Sequence, residues 1–199
     1  MDQRGPHEYI VEVFADPTCV KDVVKGILHT IFFHRYFPPL RPKSIDILDL
    51  TLPLVDDAEL ETLIDARTTT LIRMLSSTNS PNSSVRGRIA VQLFEKRRRK
   101  AGGWNLGFGG LGQKAEEEIC WEIWSVDVTL ATPKTETERI KVRKAMEMML
   151  QKAVFKIITI VNNDKDHIPP ITTSETNPFP YRIVLNPKSQ GWNGRLGLH

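Results

Sequence analysis

Cysteine is scarce in this chain of 199 residues: only Cys19 and Cys120 occur, each in an apolar stretch, so no disulfide framework holds it together and both read as reduced, buried thiols. No run approaches the ~20 apolar residues needed to span a bilayer, and the start MDQRGPHEYIVEVF lacks the basic-then-apolar pattern of a secretion signal. A cytoplasmic protein is the expectation, and the sequon at Asn82-Ser83-Ser84 should be idle. Charge of one sign is lacking too: 27 Lys and Arg stand against 24 Asp and Glu, a net of +3, so no overall field marks the protein for nucleic acid. What is present is 40% hydrophobic residues, enough for one ordinary core and too short a chain for two.

The pattern alternates between strand and helix. Glu8 to Phe14 reads as a strand leading into Asp16-Pro17, an N-cap with proline at the first helical position. Val20, Val23, Val24, Ile27, Leu28, Ile31 and Phe32 then keep one helical face toward a core as far as His34-Arg35. Ile45 to Leu52 reads as a second strand, and Asp56 with Glu59 gives a capping-box pattern before a helix to about Leu75. Ser76 to Gly87 is a polar connection. Two strands, Arg88 to Lys100 and Glu116 to Leu130, should form a hairpin around AGGWNLGFGGLGQKA. In the second of these Ile119, Trp121 and Ile123 share one parity and Trp124, Val126 and Val128 the other, which requires a bulge or burial on both faces of a central strand. Thr132-Pro133 opens a long helix through Val142, Met146, Met149, Ala153, Ile157 and Ile160; a loop and a short strand Tyr181 to Leu185 follow. The order β-α-β-α-β-β-α-β places helices against one sheet, an α+β architecture with three main helices on a mostly antiparallel sheet. The expected domain covers residues 1–186, with 101–115 a protruding glycine-rich aromatic loop and 187–199 a disordered tail.

Chemistry is hard to find. Gly107, Gly109 and Gly112 match G-x-G-x-x-G, but a strand and three glutamates follow where a pyrophosphate needs a helix N-terminus. His29 and His34 sit five apart on one helix and diverge by roughly 140°, a poor zinc pair. Asp164, Asp166 and His167 read as solvated loop charges without the remaining ligands of a calcium site. No nucleophile elbow or Cys-His pair occurs, so no catalytic, metal or cofactor residue is assigned. Lys96, Arg97, Arg98, Arg99 and Lys100 form the main charge feature; as a run they suit an anionic membrane, but Glu116, Glu117 and Glu118 should face them across the hairpin. Trp104 and Phe108, among six glycines between Gly102 and Gly112 inclusive, have no core to enter and read as partner anchors. His34 and Arg35 suit the exposed carbonyls at their helix end or a polar contact patch.

The segments ILHTIFFHR (Ile27 to Arg35), CWEIWSV (Cys120 to Val126), IPPI (Ile168 to Ile171) and PYRIV (Pro180 to Val184), in this order and spacing, together resemble the autophagy-related protein 101 family. That resemblance implies a single HORMA domain that pairs with and stabilises the HORMA domain of autophagy-related protein 13 within the autophagy-initiation kinase complex, at the preautophagosomal structure, without catalysis or cofactor. It also implies an exposed Trp-Phe finger recruiting downstream factors. Trp104 and Phe108 look like its counterparts, although the family pattern places the two rings closer together. The short end Tyr181 to His199 argues for a fixed adaptor rather than a belt around a peptide. His34 and Arg35 are the candidate surface for the HORMA partner. The alternatives are a peripheral membrane or phosphoinositide binder using residues 96–100 and the two rings, and a small-molecule enzyme with an unrecognised site.

Overall fold

A computed structural model describes residues 5–39, 41–77, 85–98, 116–172 and 177–187, without the side chains of residues 98 and 116. The elements are β1 (His7–Ala15), α1 (Val20–Arg35), β2 (Pro42–Ile47), β3 (Leu50–Val55), α2 (Ala58–Ser77), β4 (Val85–Arg98), β5 (Glu116–Leu130), α3 (Glu136–Asn163) and β6 (Tyr181–Leu185). Four strands form one sheet in the order β1-β5-β4-β6; β1 runs parallel to β5 and the other pairs are antiparallel. Three helices and a mostly antiparallel sheet make this the α+β architecture anticipated from the sequence.

Alternation along β1 explains why one face is covered. Val11, Val13 and Ala15 are buried, whereas Glu8, Ile10 and Glu12 point to solvent. On the covered face α1 and α3 lie against β1, and α2 lies against β4 and β6. The core runs without a break from Val11 to Ile183 and includes Ile27, Leu28, Phe32, Leu60, Leu71, Ile89, Trp124, Met146 and Ile157. α1 is buried on nearly every side because a second, two-stranded sheet, β2-β3, packs on it. A Cβ added at Gly26 would collide with the Ile47 and Leu52 side chains, so the bare helix backbone there is what admits the hairpin.

Four sequence expectations need correction. The stretch from Ile45 to Leu52 is a hairpin turning at Leu48-Asp49, not one strand, so the order is β-α-β-β-α-β-β-α-β and the helices meet two sheets. The α2 cap is Asp57 rather than Asp56: Asp57 Oδ1 accepts from Leu60 N at 2.8 Å. The long helix begins at Glu136 instead of Thr132-Pro133, because Thr135 and Glu138 form a reciprocal capping box. The first helix begins at Val20 with Cys19 in the N-cap position, not at Asp16-Pro17; Asp16 Oδ1 accepts from the amides of Thr18 and Cys19 in the turn that precedes it. No helix of the described residues is long and apolar enough to cross a membrane.

Candidate functional site at the root of a projecting ribbon

β4 and β5 are longer than their neighbours. β1 joins β5 only from Glu122 onward, and β6 joins β4 only up to Leu93. The five pairs from Phe94↔Cys120 to Arg98↔Glu116 therefore leave the sheet as a two-stranded ribbon of about 15 Å. Register puts Lys96 opposite Glu118, Arg97 opposite Glu117 and Arg98 opposite Glu116, the charge alternation expected from the sequence. Glu118 also holds Arg182, and Arg97 holds Glu95. Arg182 in turn lies over the Phe94 ring at 4.6 Å.

The bulge is where the ribbon leaves the sheet. Leu93 faces Glu122 and Phe94 faces Cys120, so Trp121 is an extra residue in β5. Trp121 and Glu122 consequently both enter the covered interior, and the Glu122 carboxylate has no exposed surface. A buried charge is tolerated only when paired and hydrogen-bonded, and three donors do this. Arg35 Nε donates to Glu122 Oε1 at 2.8 Å and Oε2 at 3.1 Å; His167 Nε2 lies 2.6 Å from Oε2; Trp124 Nε1 donates to Oε1. Arg35 Nη2 also donates to the Asp164 carbonyl at 3.3 Å.

Aromatic rings enclose this group. His167 stacks on His7 with centroids 4.2 Å apart and lies 5.6 Å from Trp121, which meets Phe179 edge-on at 5.2 Å. Tyr9 rests on Trp124 at 4.7 Å, and burial, then the charges of Asp164 and Glu122, push its phenol up to about 12. The Cys120 thiol is pushed up to about 11 by burial, which leaves it a poor nucleophile. Both cysteines are free and half-buried.

The residues singled out from sequence fall into three groups. Trp104, Phe108, Arg99, Lys100, the glycine motif, the Asn82 sequon and the tail lie outside the described residues. Arg35, a candidate partner contact, turns inward with 3% of its side chain exposed; His34 is half-buried, its imidazole held below its ordinary pKa by burial and then by Arg35. His167 is not a solvated loop charge, because it is buried against Glu122, and the expectation is corrected. His29 likewise faces inward between α1 and α2, with Nε2 2.7 Å from Glu61 and Nδ1 accepting from Val55 N at 3.4 Å.

The sequence reading missed Glu122. In isolation it alternates with Trp121 and Ile123 like an outward polar residue, and only the bulge turns it in. It also missed the outer face of α3, where Ile140 (65% exposed), Met148 (57%) and Phe155 (60%) project at near-heptad spacing. Lys141, Lys144, Lys152 and Lys156 are exposed along the same side.

Fold and site thus define an α+β protein that projects a charged two-stranded ribbon from a buried ionic root and keeps an apolar helix face in solvent. The family described as Autophagy-related protein 101 matches residues 12–175. Proteins named Autophagy-related protein 101 are 26% identical in Arabidopsis thaliana over 186 residues, covering 83% of this chain and 80% of that one, and 28% identical in Schizosaccharomyces pombe over 176 residues, covering 88% and 84%. The Xenopus tropicalis protein of that name is 20% identical over 200 residues, covering 87% and 85%. The chain belongs to the autophagy-related protein 101 family, and with that to the machinery of autophagy. The four stretches that carried the resemblance lie around the ribbon root: Arg35 holds Glu122, Phe32 meets Tyr181 at 4.9 Å, Phe94 N donates to Pro180 O at 2.8 Å, and Pro170 and Ile171 line a cleft with Glu95 and Lys96.

Proposed function

We propose that this chain is a non-catalytic adaptor of autophagy initiation, a HORMA domain that pairs with the HORMA domain of autophagy-related protein 13 and stabilises it within the initiation kinase complex. It does so in the cytoplasm and at the preautophagosomal structure. Trp104 and Phe108, in the sequence between β4 and β5, recruit further factors. The observation that carries the pairing is the outer face of α3: three large apolar side chains more than half exposed on one helix are the signature of a surface completed by a partner. Arg35 is engaged by Glu122, which moves the weight of the proposed interface from the end of α1 to this face. Glu122 itself, with no exposed surface, is a structural charge and cannot reach a substrate.

The test is co-purification with the HORMA domain of autophagy-related protein 13 from the same organism. Met148→Asp with Phe155→Asp should leave the fold intact and abolish capture, whereas Trp104→Ala with Phe108→Ala should retain capture and lose recruitment of later factors. Capture unaffected by the α3 pair would overturn the assignment of that face. The membrane reading is disfavoured by Glu95, Glu117 and Glu118 set among Lys96 and Arg97; flotation of the isolated protein with anionic liposomes, lost on neutralising Lys96 to Lys100, would restore it.

A further inference from the structure

Once β4 and β5 leave the sheet they have no lateral strands among the described residues, and a lone two-stranded ribbon is marginal and free to twist. Its direction must come from what packs on its face. Among the described residues that is Arg182 of β6, on Glu118 and the Phe94 ring, together with a strap between α3 and β6, described at residues 164–172 and 177–180. Pro170, Ile171, Thr172, Pro178 and Phe179 line a cleft with Glu95, Lys96 and Arg97 of the ribbon. Phe179 touches Trp121, and Pro180 O accepts from Phe94 N. The far end of the strap is anchored by β6; the near end is anchored by His167 on Glu122, with Arg35 gripping the same carboxylate and the Asp164 carbonyl from α1.

We propose that Arg35, Glu122 and His167 act as a clamp that sets the direction of the ribbon, and that His167 is a positioning residue for whatever binds at the ribbon's end. The proposal rests on the adaptor reading for its consequence, but the clamp is a property of the chain alone. Without the imidazole, the strap loses its side-chain tie to Glu122, keeping only the Asp164 carbonyl on Arg35 at its near end, and Trp121 loses one of its two ring neighbours among the described residues. The ribbon then samples many directions, and a partner must select one of them, which lowers apparent affinity by the fraction correctly oriented.

Hydrogen exchange on the full chain reads this without any partner. In His167→Ala the amides of residues 94–97 and 117–121 should exchange at least tenfold faster, while those of Ile27 to Ile31 in α1 keep their wild-type rates. Recruitment through the finger should fall about fivefold or more, with pairing through α3 unchanged. His167→Gln, whose amide nitrogen can take the place of Nε2, should restore both. Unchanged ribbon exchange in the alanine variant would overturn the clamp, as would an equal rise in α1 and ribbon or a glutamine variant behaving like alanine. If the alanine variant does not fold, the glutamine variant decides: wild-type ribbon exchange is required of it. A fast ribbon with normal recruitment would overturn the positioning role of His167 in recruitment and leave the clamp on the ribbon standing.

Discussion

At the scale of single residues, the stability of the ribbon root turns on one hidden carboxylate. Glu122 is matched by Arg35, Trp124 and His167, so removing one partner of the ion pair strands the other in a dry interior. Glu122→Ala should therefore cost about 3–5 kcal/mol in urea unfolding, whereas Arg35→Met combined with Glu122→Leu should cost much less than the sum of the single changes. Additive losses would show that the two charges do not act as a pair. His29 makes a second, independent prediction. Burial holds its imidazole below the ordinary 6.5, against the opposite pull of Glu61, so the unfolded chain binds more protons in that window. Glu61 is held below 4.5 because its bonds to Lys25 and its pairing with His29 outweigh burial. Both contributions are complete above the unfolded pKa and are lost as pH falls through the folded one. The thermal midpoint should drop between pH 7 and pH 5, and His29→Gln should flatten that drop; an identical slope in the variant would assign the acid loss to other groups.

At the scale of elements, the caps and turns decide where the chain changes direction. Asp57 holds Leu60 N through one oxygen and the Tyr36 hydroxyl through the other at 2.9 Å, joining the start of α2 to the end of α1. Asp56 only meets exposed Lys43. Asp57→Ala should lose about 1–2 kcal/mol and Asp56→Ala a few tenths at most, by chemical denaturation. The β2-β3 hairpin was not legible from sequence for a related reason. Its two-residue turn places Leu48 at φ 55°, a conformation that ordinarily announces itself with glycine or asparagine. With leucine there, IDILDLTLPLV reads as one apolar run. The strands at the ends of the chain were easier: Tyr181 to Leu185 alternates cleanly between proline-rich flanks, and the structure has the same bounds.

At the scale of the molecule, composition and periodicity sufficed for the class of fold, the three helices and the hairpin that becomes the ribbon. They did not suffice for the site, because its members lie on α1, β5 and the strap and are brought together only by folding; Arg35 and Glu122 are 87 residues apart. Parity did betray the bulge, since Trp121 and Trp124 cannot share a face on a regular strand. If α3 is completed by a partner, binding must also be felt by the whole fold. Saturation to ~100 times the dissociation constant adds about 2.7 kcal/mol, or roughly 5–10 °C in thermal midpoint for a chain of this size. The α3 double variant should show no such rise, and a full rise in that variant would place the partner elsewhere.

The parallel pairing of β1 with β5 has a consequence for how this protein is made. His7 finds its neighbour at Glu122, 122 − 7 = 115 residues later, and no local hairpin can shelter it meanwhile. At about 5–20 residues per second a ribosome needs roughly 6–23 s to deliver that neighbour. The contact order is correspondingly high, so the first strand waits in the nascent chain, with Val11 and Val13 unsheltered, until more than half of the protein has followed it out.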